Sequence, residues 1–274
     1  MSAKPGVALV TGAGRGIGLA IATALAGDGW HVAVADLDVG AAEKAAVDLP
    51  GECAGFAVDV ADHSSVAALV HDVEERFGPL DLLVNNAGVM WVGPFDEEPE
   101  AASRRMLEVN LIGVINGFRV VAPLMRARGH GHILTIASAA SRLAPPGEAT
   151  YAASKHGVLG YATAVRRELK GSGVEVSLIC PVVVRTELAA GTSSGAAPTL
   201  RPEQVAKSVM AVVRRPRFVT YVPRHVTLLT TALAVLPQRA RDWLSERTVP
   251  DQVRSTDRSK RTDYERGLTG RDGP

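Results

Sequence analysis

The 274-residue chain has the length of one large α/β domain, and 46% of its residues are hydrophobic, which is enough for a substantial core. Its 30 basic and 29 acidic residues leave a formal net charge of +1, which gives no electrostatic footprint for nucleic acid or an anionic membrane. Cys53 and Cys180 have neither disulfide nor zinc-site spacing, so we expect two reduced thiols and no metal. The apolar run after Pro5 is too short for a signal peptide, and we expect a cytoplasmic protein.

Short apolar runs alternate with stretches of helical period along the chain. Between two such runs, Val66, Leu69, Val70, Val73 and Phe77 fall on one face of a helix. Strand–helix alternation predicts a mostly parallel sheet, and nearly continuous apolar runs predict strands that are buried on both faces. The sequence therefore predicts an α/β doubly wound domain with helices on both faces of a seven-stranded sheet. The predicted strands are residues 7–10, 31–36, 55–60, 80–85, 132–138, 174–180 and 218–222.

The glycine-rich stretch TGAGRGIG, residues 11–18, directly follows the first predicted strand. Glycine within regular structure costs about 0.5–1 kcal/mol relative to alanine, so the cluster needs a compensating use. A strand, a glycine turn and a helix beginning near Ile17 would place free backbone N–H groups against a phosphate. Asp36 ends the second strand 18 residues after Gly18, close to the spacing expected of an acid that binds the adenine ribose. These features predict a dinucleotide site.

Asp36 also bears on which dinucleotide binds. At an effective dielectric constant of about 20, two unit charges about 4 Å apart repel by about 4 kcal/mol, so this carboxylate disfavours the 2′-phosphate of NADP. Arg15 in the glycine loop could partly neutralise that phosphate, whereas Leu37 supplies no second positive charge. We therefore expect NAD and keep NADP as the alternative.

Tyr151 and Lys155 lie behind the fifth predicted strand, which ends at Ser138. Four residues apart on a helix, they project from the same face, so that the ammonium group approaches the phenol. A nearby cation favours the phenolate and is expected to lower the pKa of Tyr151. The pair therefore predicts an acid/base group. Taken alone, the same spacing is more typical of a half-buried ring beside a solvated charge.

The full ordered set of motifs is more specific than any one of them. TGAGRGIG, Asp36, Asp59, NNAG at 85–88, Asn110, Ser138, and Tyr151 with Lys155 together resemble the short-chain dehydrogenase/reductase family over about residues 5–190. The resemblance implies a single NAD(P)-binding Rossmann-like catalytic domain over residues 1–250, with a C-terminal helical extension. For residues 251–274, the composition predicts a polar tail that is solvated or disordered.

The resemblance also assigns a role to each matching residue. It implies that Tyr151 exchanges the substrate's hydroxyl proton, Ser138 holds the substrate oxygen, and Lys155 binds the nicotinamide ribose. Asn110 would hold a relay water. Val182 departs from the family pattern, which usually has glycine after this proline, and its branched side chain narrows the space near the nicotinamide. The implied cofactor-binding residues are Gly12, Gly14, Arg15, Gly16, Ile17, Gly18, Asp36, Leu37, Asp59, Val60, Asn86, Ala87, Gly88, Tyr151, Lys155, Pro181, Val184 and Thr186.

Two apolar segments, residues 90–92 and 143–146, match the segments that border the substrate cleft in the family. The implied substrate is a hydrophobic secondary alcohol or its ketone, steroid-like or aliphatic. The alternative is that these residues belong to the core. The predicted substrate residues are Met90, Trp91, Ser138, Pro145 and Val182.

The sequence is also compatible with two other functions. An NADP-dependent carbonyl reductase fits every motif except Asp36. A non-catalytic dinucleotide sensor would keep the fold but would not need the serine, tyrosine and lysine.

Three further segments carry predictions. Residues 189–199 are small and flexible and are interpreted as a lid. The helix from about Ala149 to Leu169 has a broad apolar side, which with the family resemblance predicts a homodimer or homotetramer. Residues 225–247 have an apolar half and a basic half, and would cap the cleft, extend a subunit contact or, as the least favoured interpretation, touch a membrane.

Overall fold

The structure, a computed structural model, describes residues 6–195, 198–228, 230 and 236–269. Seven strands form one sheet in the order β3-β2-β1-β4-β5-β6-β7, and all six strand pairs are parallel. The predicted fold class is confirmed, with strand ends shifted by a few residues. The strands are β1 Val7–Thr11, β2 His31–Asp36, β3 Cys53–Ala57, β4 Leu82–Asn85, β5 Gly131–Ile136, β6 Val174–Pro181 and β7 Val219–Val222.

Helices cover both faces of the sheet. The predicted face of α3 is buried with α5 and α7 in one core cluster, while α1, α2 and α8 pack in a second cluster. The helices of the main body are α1 Gly16–Gly27, α2 Val39–Val47, α3 His63–Phe77, α4 Glu100–Leu107, α5 Gly113–Arg128, α6 Ala140–Leu143, α7 Ala149–Glu168 and α8 Pro202–Arg214.

The strand order reverses next to β1, which pairs with β2 on one side and with β4 on the other. In open parallel sheets, ligands bind beyond the carboxyl ends of the strands at such a switch point. The glycine loop follows β1 and the NNAG motif spans the end of β4. The fold therefore brings these two predicted motifs to the same edge of the sheet.

The stretch Glu100–Arg128 is long and apolar enough to cross a membrane by length and composition alone. It consists of α4, a π-helical turn at Glu108–Ile112, and α5. Half of its most apolar window is buried inside the protein, and Val114, Phe118 and Val121 are part of the core. These contacts are those of a core helix.

The C-terminal segment, residues 251–269, differs from the sequence expectation of a solvated or disordered tail. It follows α9 (Gln238–Thr248) and contains α10 (Gln252–Ser255), a short 3₁₀ turn and α11 (Thr262–Thr269). Gln252 and Arg261 are almost fully buried. The physical reason is that these polar side chains find hydrogen-bond partners on the main body, which composition alone does not reveal. Residues 270–274 lie outside the described residues.

The C-terminal segment holds the predicted lid in place. Asp257 N–H donates to the Gly191 carbonyl oxygen at 2.9 Å, and the Gln252 side chain exchanges two hydrogen bonds with the backbone of Ser193. Residues 196–197 of the lid and residues 229 and 231–235 of the 225–247 segment lie outside the described residues.

Candidate active site

A cavity of about 670 Å³ opens at the carboxyl ends of the strands. Sixteen of the predicted cofactor residues line it, whereas Gly14, Gly18 and the predicted catalytic Asn110 are not part of its lining. Among the predicted substrate residues, Met90, Ser138, Pro145 and Val182 line the cavity. The cofactor residues in its wall are Gly12, Arg15, Gly16, Ile17, Asp36, Leu37, Asp59, Val60, Asn86, Ala87, Gly88, Tyr151, Lys155, Pro181, Val184 and Thr186.

The glycine loop fits a dinucleotide phosphate. Gly12 and Gly16 have φ angles of +62° and +59°, in the left-handed region that favours glycine. A side chain on Gly18 would overlap the Gly12 carbonyl oxygen, so α1 can approach the strand closely. Among the described residues, no side chain caps the start of α1. Its first-turn N–H groups therefore remain available to an anion at the cavity wall.

Asp36 is held at the cavity edge by backbone groups. Gly14 N–H donates to Asp36 Oδ2 at 2.9 Å, and Asp38 N–H donates to Oδ1 at 3.3 Å. Arg15 points to the lid side, where its Nη1 lies 3.1 Å from Glu187 Oε2. Leu37 is 64% exposed. In this arrangement the carboxylate is fixed and the nearby guanidinium already has an acidic partner.

Thr11 joins the glycine loop to the NNAG motif, a role that the sequence analysis missed. Its hydroxyl oxygen accepts from the N–H groups of Asn86 and Ala87 at 3.1 and 3.2 Å. The Asn86 amide in turn donates to the carbonyl oxygens of Thr11 and Gly12 at 2.8 and 3.0 Å. The signal was available, because threonine at the end of β1 faces the neighbouring end of β4.

Asn110 is fully buried in the π-helical turn and supports the loop after β4. Its Oδ1 accepts from Val89 N–H, and its Nδ2 donates to the Val89 carbonyl, each at 2.8 Å. Nδ2 also donates to Ser154 Oγ at 3.2 Å. Both amide hydrogens are therefore committed to protein partners. The predicted relay water remains a prediction, and the observed function of this side chain is to position Val89 beside Gly88.

The structure brings Ser138, Tyr151 and Lys155 together at the cavity wall. The Ser138 hydroxyl lies close enough to the Tyr151 hydroxyl to lower its pKa. Lys155 Nζ donates to the Ile136 carbonyl oxygen at 3.3 Å and lies 5.7 Å from the centroid of the Tyr151 ring. Both Tyr151 and Lys155 are buried. A hydroxyl pair beside a buried ammonium group is an arrangement that can bind a substrate oxygen and exchange its proton.

The acidity of Tyr151 differs from the sequence expectation. Burial raises the pKa of Tyr151 well above its ordinary value, the Glu148 charge raises it further, and the hydrogen bond from Ser138 lowers it. Burial also lowers the pKa of Lys155 to about 8. The expected net lowering of the Tyr151 pKa is therefore wrong, because the loss of solvation dominates and the Lys155 ammonium group donates to the Ile136 carbonyl oxygen.

Trp91 does not line the cavity, which corrects its predicted place in the substrate wall. It is buried in a small cluster with Met106 and Ala102 of α4, and it packs against Gly93. Its backbone N–H lies 3.4 Å from Met106 Sδ. The alternative interpretation, a core residue, holds for Trp91, because the chain turns its ring toward α4 after Met90.

Several further residues of the cavity wall are not predicted from the sequence. Glu148 lies one helical turn before Tyr151, a spacing that could have indicated it. The C-terminal segment contributes Gln252 and Tyr264, and the Tyr264 hydroxyl accepts from Met90 N–H at 3.1 Å. Nothing in the polar composition of that segment signals a place in a site.

Arg261 anchors the C-terminal segment over the cavity. Its side chain is 0% exposed. Nη1 donates to the carbonyl oxygens of Leu188 and Ala190 at 2.9 and 3.0 Å, and Nη2 donates to that of Met90 at 2.7 Å. Nε donates to Glu265 Oε1 at 2.7 Å. One guanidinium therefore joins the lid, the loop after β4 and α11.

Glu148 is expected to make the protein less stable as the pH rises. Burial raises the pKa of Glu148 to about 7, and the charge of Arg261 acts in the opposite direction. In the unfolded chain this carboxyl group titrates near its ordinary pKa of about 4.3. Because the folded pKa is the higher one, the stability contribution is complete below the unfolded pKa and is lost as the pH rises through about 7.

The substitution Glu148→Gln removes this titration. We expect the variant's free energy of unfolding, relative to that of the wild type, to rise by about 2 kcal/mol between pH 5 and pH 8. Tyr151, Lys155, Arg261 and Tyr264 line or border the same cavity and are common to both proteins, so their contributions cancel in the difference. Urea unfolding at the two pH values measures it, with Glu168→Gln at the exposed end of α7 as control. A difference independent of pH would contradict the prediction.

The fold and the site together define a class of protein. A doubly wound sheet with a glycine-rich phosphate loop, an acid at the end of β2 and a serine–tyrosine–lysine cluster is the arrangement of a nicotinamide-dependent oxidoreductase. A family model described as short chain dehydrogenase matches residues 6–197. The chain belongs to the short-chain dehydrogenase/reductase family, whose NAD(P)-dependent members act on CH–OH groups.

Two curated relatives show the range of similar proteins. Estradiol 17-beta-dehydrogenase 11 of Rattus norvegicus is 30% identical over 247 residues, which cover 88% of this chain and 83% of the relative. D-threitol dehydrogenase of Mycolicibacterium smegmatis (strain ATCC 700084 / mc(2)155) is 42% identical over 185 residues, which cover 66% of this chain and 71% of the relative. Their named substrates differ greatly in polarity.

Two solved structures are similar to this chain over most of its length. A short-chain dehydrogenase/reductase from Burkholderia phymatum in complex with NAD has a TM-score of 0.79 and 29% identity, and the match covers 92% of this chain and 99% of that one. An alcohol dehydrogenase from the archaeon Thermococcus sibiricus, complexed with 5-hydroxy-NADP, has a TM-score of 0.70 and 29% identity. That match covers 79% of this chain and 94% of the other chain. Both similar proteins therefore bind a nicotinamide dinucleotide.

Proposed function

We propose that this enzyme transfers a hydride between NAD and a hydrophobic secondary alcohol or its ketone. The observation that carries the proposal is the position of Ser138, Tyr151 and Lys155 in a cavity that runs from the glycine loop to apolar walls. The apolar residues in the outer wall include Met90, Leu143, Pro145, Val182, Leu188 and Val226.

Each of the three polar residues has a distinct part in the proposed reaction. The bound nicotinamide supplies the hydride acceptor or donor. The Ser138 hydroxyl holds the substrate oxygen beside Tyr151 Oη, which takes the hydroxyl proton in oxidation and returns it in reduction. The Lys155 ammonium group, directed to the same wall, offers hydrogen bonds to ribose hydroxyl groups. Its positive charge, together with that of the oxidised cofactor, favours the phenolate form of Tyr151.

The apolar walls favour a substrate with a hydrocarbon body. A series of secondary alcohols of increasing chain length, assayed by nicotinamide absorbance, tests this part of the proposal. We expect kcat/KM to increase with apolar surface until the cavity is full, since burying one methylene group contributes about 0.8 kcal/mol. A preference for the smallest alcohols would contradict it.

NAD is the expected cofactor because the Asp36 carboxylate is fixed at the cavity edge and Arg15 is paired with Glu187. We predict that kcat/KM with NAD exceeds that with NADP by about 100-fold, within the repulsion of about 4 kcal/mol that a fixed carboxylate exerts on a phosphate. Asp36→Ser is expected to remove most of this difference by raising activity with NADP.

Steady-state kinetics with both cofactors measure the preference. Asp48→Asn, at the exposed C-terminal end of α2, is the matched control and is expected to keep the wild-type ratio. A wild-type enzyme that prefers NADP would contradict the proposal and would support the NADP-dependent carbonyl reductase that the sequence left open.

We also propose that the protein is a homodimer or homotetramer. Leu107, Ile112 and Leu124 on the α4–α5 stretch are large apolar side chains that are 40, 42 and 37% exposed. Exposed apolar groups along one helical stretch favour association. Light scattering is expected to give at least twice the chain mass of 28.7 kDa, and Ile112→Asp is expected to lower it. A monomer at micromolar concentration would exclude the assembly.

A further inference from the structure

We propose that Glu148 determines specificity by binding a second hydroxyl group of the substrate, so that the enzyme prefers diols to otherwise identical mono-alcohols. This inference rests on the proposed alcohol dehydrogenase function and assigns the polar end of its substrate. Glu148 lines the same cavity as Tyr151 and lies one turn before it, at the start of α7.

Glu148 is a buried residue whose carboxylate accepts no hydrogen bond from the described residues and faces the cavity. The residue is 7% exposed and lines the cavity. It occupies the N-cap position of α7, where a side-chain oxygen usually accepts from first-turn N–H groups, yet it makes no such bond. Within the described part of the chain, no donor hydrogen-bonds to its carboxylate. Buried carboxylates are normally satisfied, so the missing partner is expected to come from a ligand.

Arg261, the buried cation whose charge acts on Glu148, makes its own hydrogen bonds to other groups. Arg261 is close enough for its charge to affect Glu148. All three of its guanidinium nitrogens, however, donate to other groups: Glu265, the carbonyls of Leu188 and Ala190, and the Met90 carbonyl. The positive charge of Arg261 therefore reduces the cost of burying the Glu148 carboxyl group. The carboxyl oxygens of Glu148 remain available to a ligand in the cavity.

The charged groups around Glu148 indicate which kind of substrate group would bind its carboxylate. A carboxylate accepts hydrogen bonds and repels an anion, so a carboxylate or phosphate on the substrate is disfavoured. Lys155 and Arg261 border the same region, and their positive charges disfavour an ammonium group. A neutral hydroxyl donor satisfies both conditions. Burial raises the pKa of Glu148 to about 7, and both the ionised and the protonated form can accept a hydroxyl hydrogen bond.

Burial of the Glu148 carboxyl group also lowers the stability of the folded protein, which a purely structural role for this residue would not explain. A carboxyl group that must be buried without a partner lowers the stability of the folded protein, and such groups are concentrated at functional sites. An apolar residue at position 148 would match the neighbouring wall residues Leu143 and Pro145. The presence of a glutamate there is therefore evidence for recognition of a polar group.

The test compares cyclohexanol with 1,2-, 1,3- and 1,4-cyclohexanediol as substrates of the wild type, Glu148→Gln and Glu148→Leu. We expect the wild type to oxidise at least one diol with a kcat/KM about 10- to 100-fold above that of cyclohexanol, as for a hydrogen bond to a charged group. The preference should appear mainly in KM. Glu148→Leu is expected to abolish it, whereas Glu148→Gln, whose amide oxygen still accepts, should retain part of it.

Glu168→Leu, at the exposed end of α7, is the matched control and should keep the wild-type ratio. NADH binding by fluorescence and the Tm of each variant show whether the fold is intact, and Glu148→Gln decides the result if Glu148→Leu does not fold. Equal kcat/KM for diols and cyclohexanol in the wild type, or a preference that survives both substitutions, would overturn this inference alone. A wild type that oxidises no alcohol, including the chain-length series, would overturn the proposed function and this inference with it.

Discussion

Replacing Tyr151 with phenylalanine is expected to lower kcat by about 10³-fold, with little change in NADH affinity. The phenol oxygen lies beside the Ser138 hydroxyl at the cavity wall and is the group that exchanges the substrate proton in the proposed reaction. General acid–base catalysis contributes about 10²- to 10⁴-fold to rates, so the loss of one buried hydroxyl has a large effect. The aromatic ring itself remains, and packing is therefore preserved.

Single-turnover measurement of nicotinamide absorbance provides the test, with NADH binding by fluorescence as a check on the site. Tyr161→Phe is the matched control, because Tyr161 lies on the same helix but packs edge-on against Phe118, 5.6 Å between ring centroids, outside the cavity wall. If Tyr151→Phe kept more than about a tenth of the wild-type rate, a loss far below the range for acid–base catalysis, Tyr151 would not be the proton-transfer group.

Replacing Arg261 with methionine is expected to release the C-terminal segment from the cavity. The substitution removes three hydrogen bonds to carbonyl oxygens and leaves Glu265 without its buried cation. Breaking a buried ion pair by removing one partner costs about 3–5 kcal/mol, which is comparable to the stability of a locally folded segment. We therefore expect KM for the alcohol to rise by about tenfold or more, since Tyr264 and Gln252 leave the cavity wall.

Limited proteolysis is the structural measurement, and cleavage after residue 250 is expected to become faster in Arg261→Met while the main body stays protected. Arg254→Met serves as the control, because Arg254 has an 88% exposed side chain and pairs only at the surface with Asp251. NADH affinity should change little, since the glycine loop and Asp36 do not contact Arg261. Unchanged KM together with unchanged proteolysis would show that the segment does not depend on this anchor.

The features that sequence predicted well are those with a local pattern. The parallel sheet follows from alternating strand and helix periods, and the phosphate loop follows from glycines directly behind β1, where positive φ angles are in fact found. The four-residue spacing of Tyr151 and Lys155 was enough to place both in one wall. These patterns involve only residues that are close together in the sequence, so they do not depend on distant parts of the chain.

The features that sequence predicted poorly depend on long-range contacts. Trp91 turns toward α4 because of a packing partner, Met106, that no pattern next to it reveals. The C-terminal segment has the composition of a solvated tail, and only the carbonyl groups 70 or more residues away make Arg261 an internal residue. The Tyr151 pKa was expected to fall because a cation was near. The opposite result reflects burial, which a single sequence does not display.

The C-terminal segment has a consequence for how such an enzyme diversifies. The proposed catalytic groups lie just after β5 and on α7, whereas part of the cavity wall comes from α10 and α11, which are held mainly through backbone carbonyls of the body. Carbonyl acceptors are present whatever the local sequence. Exchange of this terminal module between paralogues, with the anchoring arginine retained, could therefore alter which molecules are turned over without redesign of the reaction centre.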